Sequence, residues 1–298
     1  MVLMQRYGLN SSVLIALTAH LKRTKLKGLV LFLFVISIGF ITGCTNPFAN
    51  GARDHASQLA SNAGWYSKTY ATTTFDLYSF QPSTLNLGQL LTIVIEGDGR
   101  AWFKRNQPSP DPTPIDPIGL KLALALNQNT IYLARPCQYV SNAERRNCSP
   151  VFWTNARYSP EVIEAFNSAI EQIKQETRAA SFRLVGFSGG GTLAALLAIA
   201  RDDIAQLITV AAPLDIDAWT SYHNVTKLRY SQNPAKHVEA LARIPQVYIV
   251  GDKDEIVPAH LATDFLMRMP NGHKAKVVII PGADHRCCWK AAHIREQF

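Results

Sequence analysis

The sequence lacks several features that define large classes of proteins. No segment repeats at a fixed period, which excludes solenoids and propellers. Charged residues make up only 17% of the chain and hydrophobic residues 47%, a composition that disordered chains do not have. The longest almost wholly apolar run, residues 28–41, is shorter than the about 20 residues that span a bilayer. What is left is a 298-residue chain that can bury one large core.

Concentrated positive charge is also missing beyond the N-terminal region. The formal net charge is +8, but five of the 30 lysines and arginines lie in residues 1–43, which contain no acidic residue. The rest of the chain has a net charge of +3 and no basic run interleaved with aromatic residues. Binding to nucleic-acid phosphates needs a concentrated positive surface, so we expect no nucleic-acid partner.

The first 43 residues have the pattern of an export signal. Basic residues 22–27 precede apolar residues 28–41, as an n-region precedes an h-region. Ile41-Thr42-Gly43-Cys44 resembles the lipobox of bacterial lipoproteins, in which the cysteine is diacylated and becomes the mature N-terminus. An ordinary cleaved signal and an uncleaved N-terminal helix are the alternatives.

The lipobox resemblance implies a location and a domain organisation. A lipid anchor at Cys44 would hold the protein in the envelope of a Gram-negative cell, with its domain in the periplasm. Thr45 is not the aspartate that retains such lipoproteins in the inner membrane, so we expect the outer membrane. The chain then divides into a signal peptide (1–43), a polar tether (44–70) and one folded domain (71–298).

Four cysteines follow Cys44. In an oxidising periplasm, Cys137 and Cys148 can close a short polar loop, and we predict a disulfide between them. Such a bond would add about 3 kcal/mol of stability on the chain-entropy account. The adjacent Cys287 and Cys288 could be reduced, packed or bonded to each other. Their spacing to nearby histidines fits no standard zinc signature, so we expect no metal site.

Short apolar runs alternate with helical patterns from about residue 75 onward. This alternation is typical of βαβ units and predicts an α/β fold, a mostly parallel central sheet with helices on both faces. Predicted strands cover residues 74–80, 90–95, 130–134, 182–187, 207–211, 247–250 and 277–280. Predicted helices cover residues 118–126, 160–178, 192–201, 234–242, 259–269 and 288–296.

The stretch Gln107–Pro117 departs from this alternation, since it holds five of the 16 prolines. Proline fixes φ and removes a backbone donor, so this stretch should form a stiff loop. Because strands are predicted on both sides of the loop, we expect no second domain and little or no lid.

A Gly-x-Ser-x-Gly turn, residues 186–190, lies directly between a predicted strand and a predicted helix. A serine hydroxyl is a weak nucleophile that must be exposed beside a base, and this sharp turn would expose Ser188. Gly186 and Gly190 occupy positions where a Cβ would clash. The Gly189 N–H, at the start of the helix, is the first candidate donor to an oxyanion.

Two later loops complete a pattern with this turn. Gly-Asp-Lys-Asp-Glu-Ile-Val-Pro (251–258) and Pro-Gly-Ala-Asp-His (281–285) each follow a predicted strand. Over about residues 75–298 the chain resembles the α/β-hydrolase superfamily, specifically its small, lid-poor esterase and dienelactone-hydrolase-like members. The resemblance implies an α/β-hydrolase fold with Ser188 as nucleophile, Asp254 as acid and His285 as base. Asp252 is the alternative acid.

The second oxyanion donor should come from Glu96-Gly97-Asp98-Gly99, the turn after the strand at 90–95. Many family members have His-Gly where this chain has Glu96-Gly97. We expect the Asp98 N–H to be the donor, with the Gly97 N–H as the alternative. Two carboxylates here would disfavour anionic substrates unless they point away. Beyond the turn, Trp102 and Phe103 could line a substrate pocket.

These residues together predict a serine hydrolase that cleaves carboxylic esters or related acyl bonds of small molecules through an acyl-enzyme. The triad chemistry requires neither a cofactor nor a metal, and we expect none. A peptidase or acyltransferase with the same triad is an alternative, because all three pass through an acyl-enzyme. A non-catalytic envelope scaffold is the other alternative, since a fold does not fix a function.

Overall fold

The computed structural model of the protein describes residues 47–104, 106–126, 129–140 and 145–298. The predicted signal peptide and the lipidation site at Cys44 lie outside the described residues. Within these ranges, no helix combines the length and the apolar character that a membrane crossing requires.

An eight-stranded sheet forms the centre of the domain, in the order β1-β2-β6-β3-β7-β8-β9-β10. The strands from β6 to β10 in this order pair in parallel, while β1 and β2 are antiparallel at one edge. This arrangement confirms the predicted fold class. The strands are β1 (Trp65–Ala71), β2 (Asp76–Pro82), β3 (Leu91–Ile95), β6 (Thr130–Leu133), β7 (Phe182–Phe187), β8 (Ile204–Val210), β9 (Gln246–Gly251) and β10 (Ala275–Ile280), and a separate hairpin consists of β4 (Trp102–Lys104) and β5 (Gln107–Pro108).

Helices cover both faces of the sheet, because neighbouring residues of each central strand point to opposite sides. On β3, Ile93 belongs to one hydrophobic cluster and Val94 to the other. The helices are α1 (Pro47–Asn62), α2 (Ile118–Leu126), α3 (Pro160–Thr177), α4 (Gly189–Ala200), α5 (Ile216–Tyr222), α6 (Val238–Leu241), α7 (Ala259–Met267) and α8 (Ala291–Arg295), with 3₁₀ turns at Pro150–Trp153 and Pro234–Lys236. Helices α3, α4 and α7 pack on the first cluster, and α1, α2 and α8 on the second.

The predicted tether is wrong over residues 47–70. Helix α1 occupies its first part and buries Ala52, Ala56 and Ala60, which recur every four residues on one face. Trp65 then begins β1 and is also buried. Alanine contributes so little apolar surface that a stripe of three among polar residues gave no clear hydrophobic period. The folded domain therefore begins near residue 48 instead of residue 71.

Other differences concern the ends of elements. The helix predicted at 234–242 is divided into the 3₁₀ turn and α6. The helix predicted at 288–296 begins only at Ala291, because Cys288 adopts a left-handed φ of 78° that a helix cannot include. Helix α5 and the β4–β5 hairpin were not predicted. Helix α2 occupies the predicted range, Ile118–Leu126.

Candidate active site

Ser188 lies at a sharp turn between β7 and α4, with a left-handed φ of 50°. Two glycines make this turn possible. A Cβ on Gly186 would lie 2.3 Å from the Gly190 carbonyl oxygen, and a Cβ on Gly190 would lie 2.4 Å from the Glu96 carbonyl oxygen. The Ser188 N–H donates to the Val210 carbonyl (2.7 Å), which ties the turn to the end of β8.

Ser188, His285 and Asp254 form a continuous chain of hydrogen bonds. Ser188 Oγ lies 3.0 Å from His285 Nε2, and His285 Nδ1 lies 2.9 Å from Asp254 Oδ2. The Asp254 side chain is completely buried, and its other oxygen accepts from the N–H groups of Ile256 (2.9 Å) and Val257 (2.7 Å). The carboxylate is therefore fixed by its own loop and has one oxygen left for the imidazole.

The alternative acid, Asp252, has a different environment. It is exposed, and its Oδ1 accepts from the Gly282 N–H (2.6 Å). Asp252 thus links the loops after β9 and β10, while Asp254 alone of the two contacts His285. The His285 ring also lies 5.5 Å from the ring of Phe187, and its carbonyl accepts from Trp289 Nε1 (3.2 Å).

Glu96, the residue after β3, faces the N-terminus of α2. Its Oε1 accepts from the N–H groups of Gly97 (2.9 Å) and Gly119 (3.1 Å), and its Oε2 from the Leu120 N–H (3.2 Å) and the Tyr132 hydroxyl (3.0 Å). Burial raises the pKa of Glu96 above its ordinary value, although these four donors act to lower it. The side chain holds the turn against the helix N-terminus, where the helix dipole favours negative charge.

Asp98 is neutralised by two buried arginines. Its Oδ1 accepts from Arg135 Nη1 (2.9 Å), and its Oδ2 from Arg157 Nη1 (2.5 Å). Burial alone would raise the pKa of Asp98, but Arg157 and Arg135 lower it below its ordinary value. The carboxylate also lies against the Gly-x-Ser-x-Gly turn at residues 186–190, which we call the elbow, since a Cβ on Gly189 would be 2.1 Å from Asp98 Oδ1. Neither carboxylate of the turn therefore presents uncompensated negative charge beside Ser188.

The same turn narrows the choice of oxyanion donors. The Gly97 N–H already donates to Glu96 Oε1. It is therefore not free to serve as the alternative oxyanion donor that the sequence left open. The turn passes close to Ser188, since a Cβ on Gly97 would lie 3.4 Å from Ser188 Cβ. Over the described ranges, the N–H groups of Asp98 and Gly189 donate to no protein acceptor. These two amides are the candidates that the geometry leaves.

Sequence reasoning missed the residues that hold this turn. Arg135 and Gln138 follow β6, and Arg157 lies about 20 residues further along the chain. Gln138 Nε2 donates to the Gly97 carbonyl (3.0 Å), and its Oε1 accepts from the Arg135 N–H (3.0 Å). Arg135 and Gln138 follow the C-terminal end of β6, the neighbour of β3, so only the strand order could have indicated them.

A cavity of about 570 Å³ opens at Ser188 and His285. The apolar part of its lining includes Trp102, Ile115, Phe187, Ile216, Trp219 and Ile256. Trp102 is therefore part of the pocket, as predicted, whereas Phe103 is half-exposed and lies outside the lining. The cavity lies at the C-terminal ends of the parallel strands, where α/β sheets bind their ligands.

The four described cysteines form two disulfides. Cys137 is bonded to Cys148, and Cys287 to its neighbour Cys288. The second bond removes two of the groups that a zinc site near His285 would have needed. In the part of the chain that the structure describes, no group of three or more histidine, cysteine, aspartate or glutamate side chains is arranged to hold a metal ion.

Comparison with known proteins places these residues in a sequence family. The family model described as serine hydrolase (FSH1) matches residues 125–287, which include Ser188, Asp254 and His285. No curated protein matches the chain.

Solved structures with the same fold include an esterase, a peptidase and a protein named Est1E. Est1E from Butyrivibrio proteoclasticus has 15% identity and a TM-score of 0.54, over 77% of this chain and 94% of that one. The Pyrococcus furiosus esterase Pf2001 has 13% identity and a TM-score of 0.52, over 76% of this chain and 86% of the esterase. The acylaminoacyl peptidase of Pyrococcus horikoshii has 12% identity and a TM-score of 0.53, over 74% of this chain but only 38% of the peptidase. At these identities the likeness shows the fold alone.

Proposed function

Because the chain belongs to the FSH1 family of serine hydrolases, we propose that it hydrolyses carboxylic esters with Ser188 as its nucleophile. The observation that carries the proposal is the unbroken hydrogen-bond chain from Ser188 through His285 to Asp254, at the wall of an open cavity. A serine in an unrelated loop would not have both an imidazole at 3.0 Å and a buried carboxylate behind that imidazole.

The proposed reaction has two steps that use the same groups. Ser188 Oγ attacks the ester carbonyl while His285 Nε2 takes its proton, and His285 then gives that proton to the leaving alcohol. Water attacks the resulting acyl-enzyme with His285 again as base, which releases the acid. Asp254 keeps the proton of the neutral imidazole on Nδ1 and stabilises the imidazolium that forms in each step.

The negative charge of each tetrahedral intermediate would be stabilised by the Asp98 and Gly189 N–H groups. Two features support this pair. Gly189 is the first residue of α4, so its N–H has no partner within the helix. The Asp98 backbone is held by its own side chain, which is fixed between Arg135 and Arg157. Backbone donors fixed in this way need no reorganisation when the charge develops.

A fluorophosphonate probe tests the nucleophile. The folded protein should be labelled at Ser188, identified by peptide mass, and should hydrolyse a short-chain p-nitrophenyl ester. Ser188→Ala should abolish the labelling and lower kcat by about five to six orders of magnitude, as loss of a triad nucleophile does. Ser83→Ala, on an exposed loop after β2, is the matched control and should retain both properties. A folded wild-type protein whose Ser188 stays unlabelled would overturn the proposal.

We also propose that residues 1–43 are a signal peptide and that Cys44 anchors the mature protein to the outer membrane by lipid. The support is the basic and apolar pattern before Cys44, together with two disulfides that fit an oxidising compartment. Full-length protein made in Gram-negative cells fed an alkyne-tagged fatty acid should carry the tag and fractionate with outer membranes. Cys44→Ser should lose the tag, and a tag that persists in this variant would contradict the proposal.

A further inference from the structure

A second cavity, of about 540 Å³, lies next to the one at Ser188. Residues of α2 form one side of it, and the segment from Arg286 to α8 forms the other. Asp116, Ile118 and Arg286 line both cavities, so the two adjoin. We refer to the second cavity as the cationic groove, defined by its four basic lining residues, Lys121, Arg286, Lys290 and Arg295.

The charges of the cationic groove are not balanced by its own lining. Among the residues that the structure describes, Asp116 is the one acidic residue of the lining, and it pairs with Lys121. Arg295 Nη1 donates to the Ala125 carbonyl (2.9 Å), a neutral partner. Within the described ranges, Arg286 and Lys290 form no side-chain ion pair, and both are exposed.

One further carboxylate lies close to the groove. Asp284, which is exposed, accepts from the N–H groups of Arg286 (2.8 Å) and Cys287 (2.7 Å), and it interacts electrostatically with Arg286. It offsets part of the charge of Arg286 but does not line the groove. The groove therefore keeps an excess of positive charge, carried mainly by Arg286, Lys290 and Arg295.

The position of His285 determines which part of an ester would meet this charge. His285 Nε2 has to reach the leaving oxygen in order to protonate it, so the alcohol part of a substrate begins at His285. Arg286 is the next residue, and it lines both cavities. A leaving group that extends from His285 past Arg286 enters the cationic groove, because Arg286 lines both cavities.

The rest of the active-site cavity suits the acyl part. Its wall includes Ile216, Trp219 and Ile256, which offer an acyl chain apolar contact. Asp98, the carboxylate closest to the elbow, is neutralised by Arg135 and Arg157 and would not repel an anion. The two ends of the substrate path thus differ in chemistry, one apolar and one cationic.

We propose that the preferred substrate is an ester whose alcohol part carries an anionic group, a carboxylate or a phosphate, that binds in the cationic groove. Arg286 and Lys290 are the specificity-determining residues. This inference rests on the proposed esterase function, and it names the substrate class of the same site.

A matched pair of chromogenic esters tests the inference. The first is 3-acyloxy-4-nitrobenzoate, whose leaving group bears a carboxylate, and the second is its neutral methyl ester. The ratio of kcat/KM for the anionic ester to kcat/KM for the neutral one is compared between enzymes, so that the intrinsic reactivities cancel. In Arg286→Gln/Lys290→Gln the ratio should fall about tenfold, mainly through KM, the size that two exposed charge interactions give together.

Three comparisons make the test specific. Lys274→Gln/Lys276→Gln removes two exposed lysines at the start of β10, the end away from the site, and should leave the ratio unchanged. Arg286→Lys/Lys290→Arg keeps both positive charges, so its ratio should stay close to the wild-type value. In the wild type, 0.5 M NaCl should lower the ratio because salt screens exposed charges.

Butanoyl and octanoyl versions of both esters distinguish a small anionic ester from a lipid-like one.

The outcomes separate this inference from the proposed function. Turnover of both esters with an equal ratio in the wild type and in Arg286→Gln/Lys290→Gln would overturn the inference and leave the esterase proposal intact. Absence of turnover for both esters, in protein whose thermal unfolding shows that it is folded, would overturn the esterase proposal and this inference with it.

Discussion

Two walls meet at Ser188, and they are constructed in different ways. The elbow wall, residues 186–190, is defined by backbone contacts within the turn and with adjacent strands. The turn after β3, residues 96–99, is held by side chains that lie 36 to 59 residues away, among them Arg135 and Arg157. The first wall is a local steric motif, and the second is a long-range electrostatic one. Substitutions should therefore affect them through different quantities, catalytic rate for the first and folding stability for the second.

After the loss expected for Ser188→Ala, the largest effect is expected at Asp254, which accepts from His285 beside the elbow wall. Asp254→Asn should lower kcat by about four orders of magnitude, because an amide facing His285 Nδ1 favours the wrong imidazole tautomer. Steady-state hydrolysis of a neutral p-nitrophenyl ester measures the loss. Asp252→Asn is the matched control, since Asp252 is exposed and accepts from Gly282, and it should stay within a few-fold of the wild type. Equal losses in the two variants would contradict the assignment of the acid.

On the second wall, Asp98→Asn should lower the free energy of unfolding by about 3–5 kcal/mol, because two buried arginines lose their counter-ion. Urea unfolding measures this. Asp76→Asn, which breaks a pair with the half-exposed Arg146, should cost less than about 1 kcal/mol. Since Arg157 and Arg135 depress the pKa of Asp98, its contribution is present above the ordinary aspartate pKa and is lost as the pH falls through the lower folded value. If the wild type lost its higher free energy of unfolding relative to Asp98→Asn between pH 8 and pH 5, that result would be inconsistent with this account.

The two disulfides provide a comparison of intermediate size. Cys137→Ser/Cys148→Ser opens a loop with a sequence separation of 11, which should cost about 3 kcal/mol and lower Tm by about 6–12 °C. Cys287→Ser/Cys288→Ser removes a disulfide between adjacent residues, which closes no longer loop. The change in Tm of this variant should therefore be much smaller. Differential scanning calorimetry measures both. Similar shifts in Tm would show that loop closure is not the source of the stability.

The smallest effect is expected at Glu96. Glu96→Gln replaces one carboxylate oxygen by a donor, which leaves about two of four buried donors without an acceptor and should cost about 1–3 kcal/mol. Burial raises the pKa of Glu96, so its contribution is full below the ordinary glutamate pKa and declines as the pH rises through the raised value. The wild-type advantage over Glu96→Gln should therefore narrow with rising pH, the opposite of Asp98→Asn. Urea midpoints at pH 4 and pH 8 measure this, and parallel trends in both variants would contradict the difference between the two carboxylates.

Sequence prediction was most successful where a continuous apolar run stood out from its polar neighbours. The central strands and the helix at Ile118–Leu126 are such cases. It failed at α1, where a stripe of three alanines carried too little hydrophobicity to stand out from its polar neighbours. It also placed the start of the last helix too early, because the left-handed backbone of Cys288 leaves no sign in the residue types.

The sequence by itself determined the strand–turn–helix around Ser188 and the order of the loops that carry Asp254 and His285. Backbone sterics demand glycine at particular positions, and parallel strands bring their C-terminal loops to one edge. Tertiary structure decided the electrostatics around that serine. Glu96 faces a helix N-terminus, Asp98 faces two arginines, and basic residues of α2 and of the segment after His285 share one groove. Coulomb forces and hydrogen bonds depend on distance in space, and these partners come from distant parts of the chain, so no local pattern could record them.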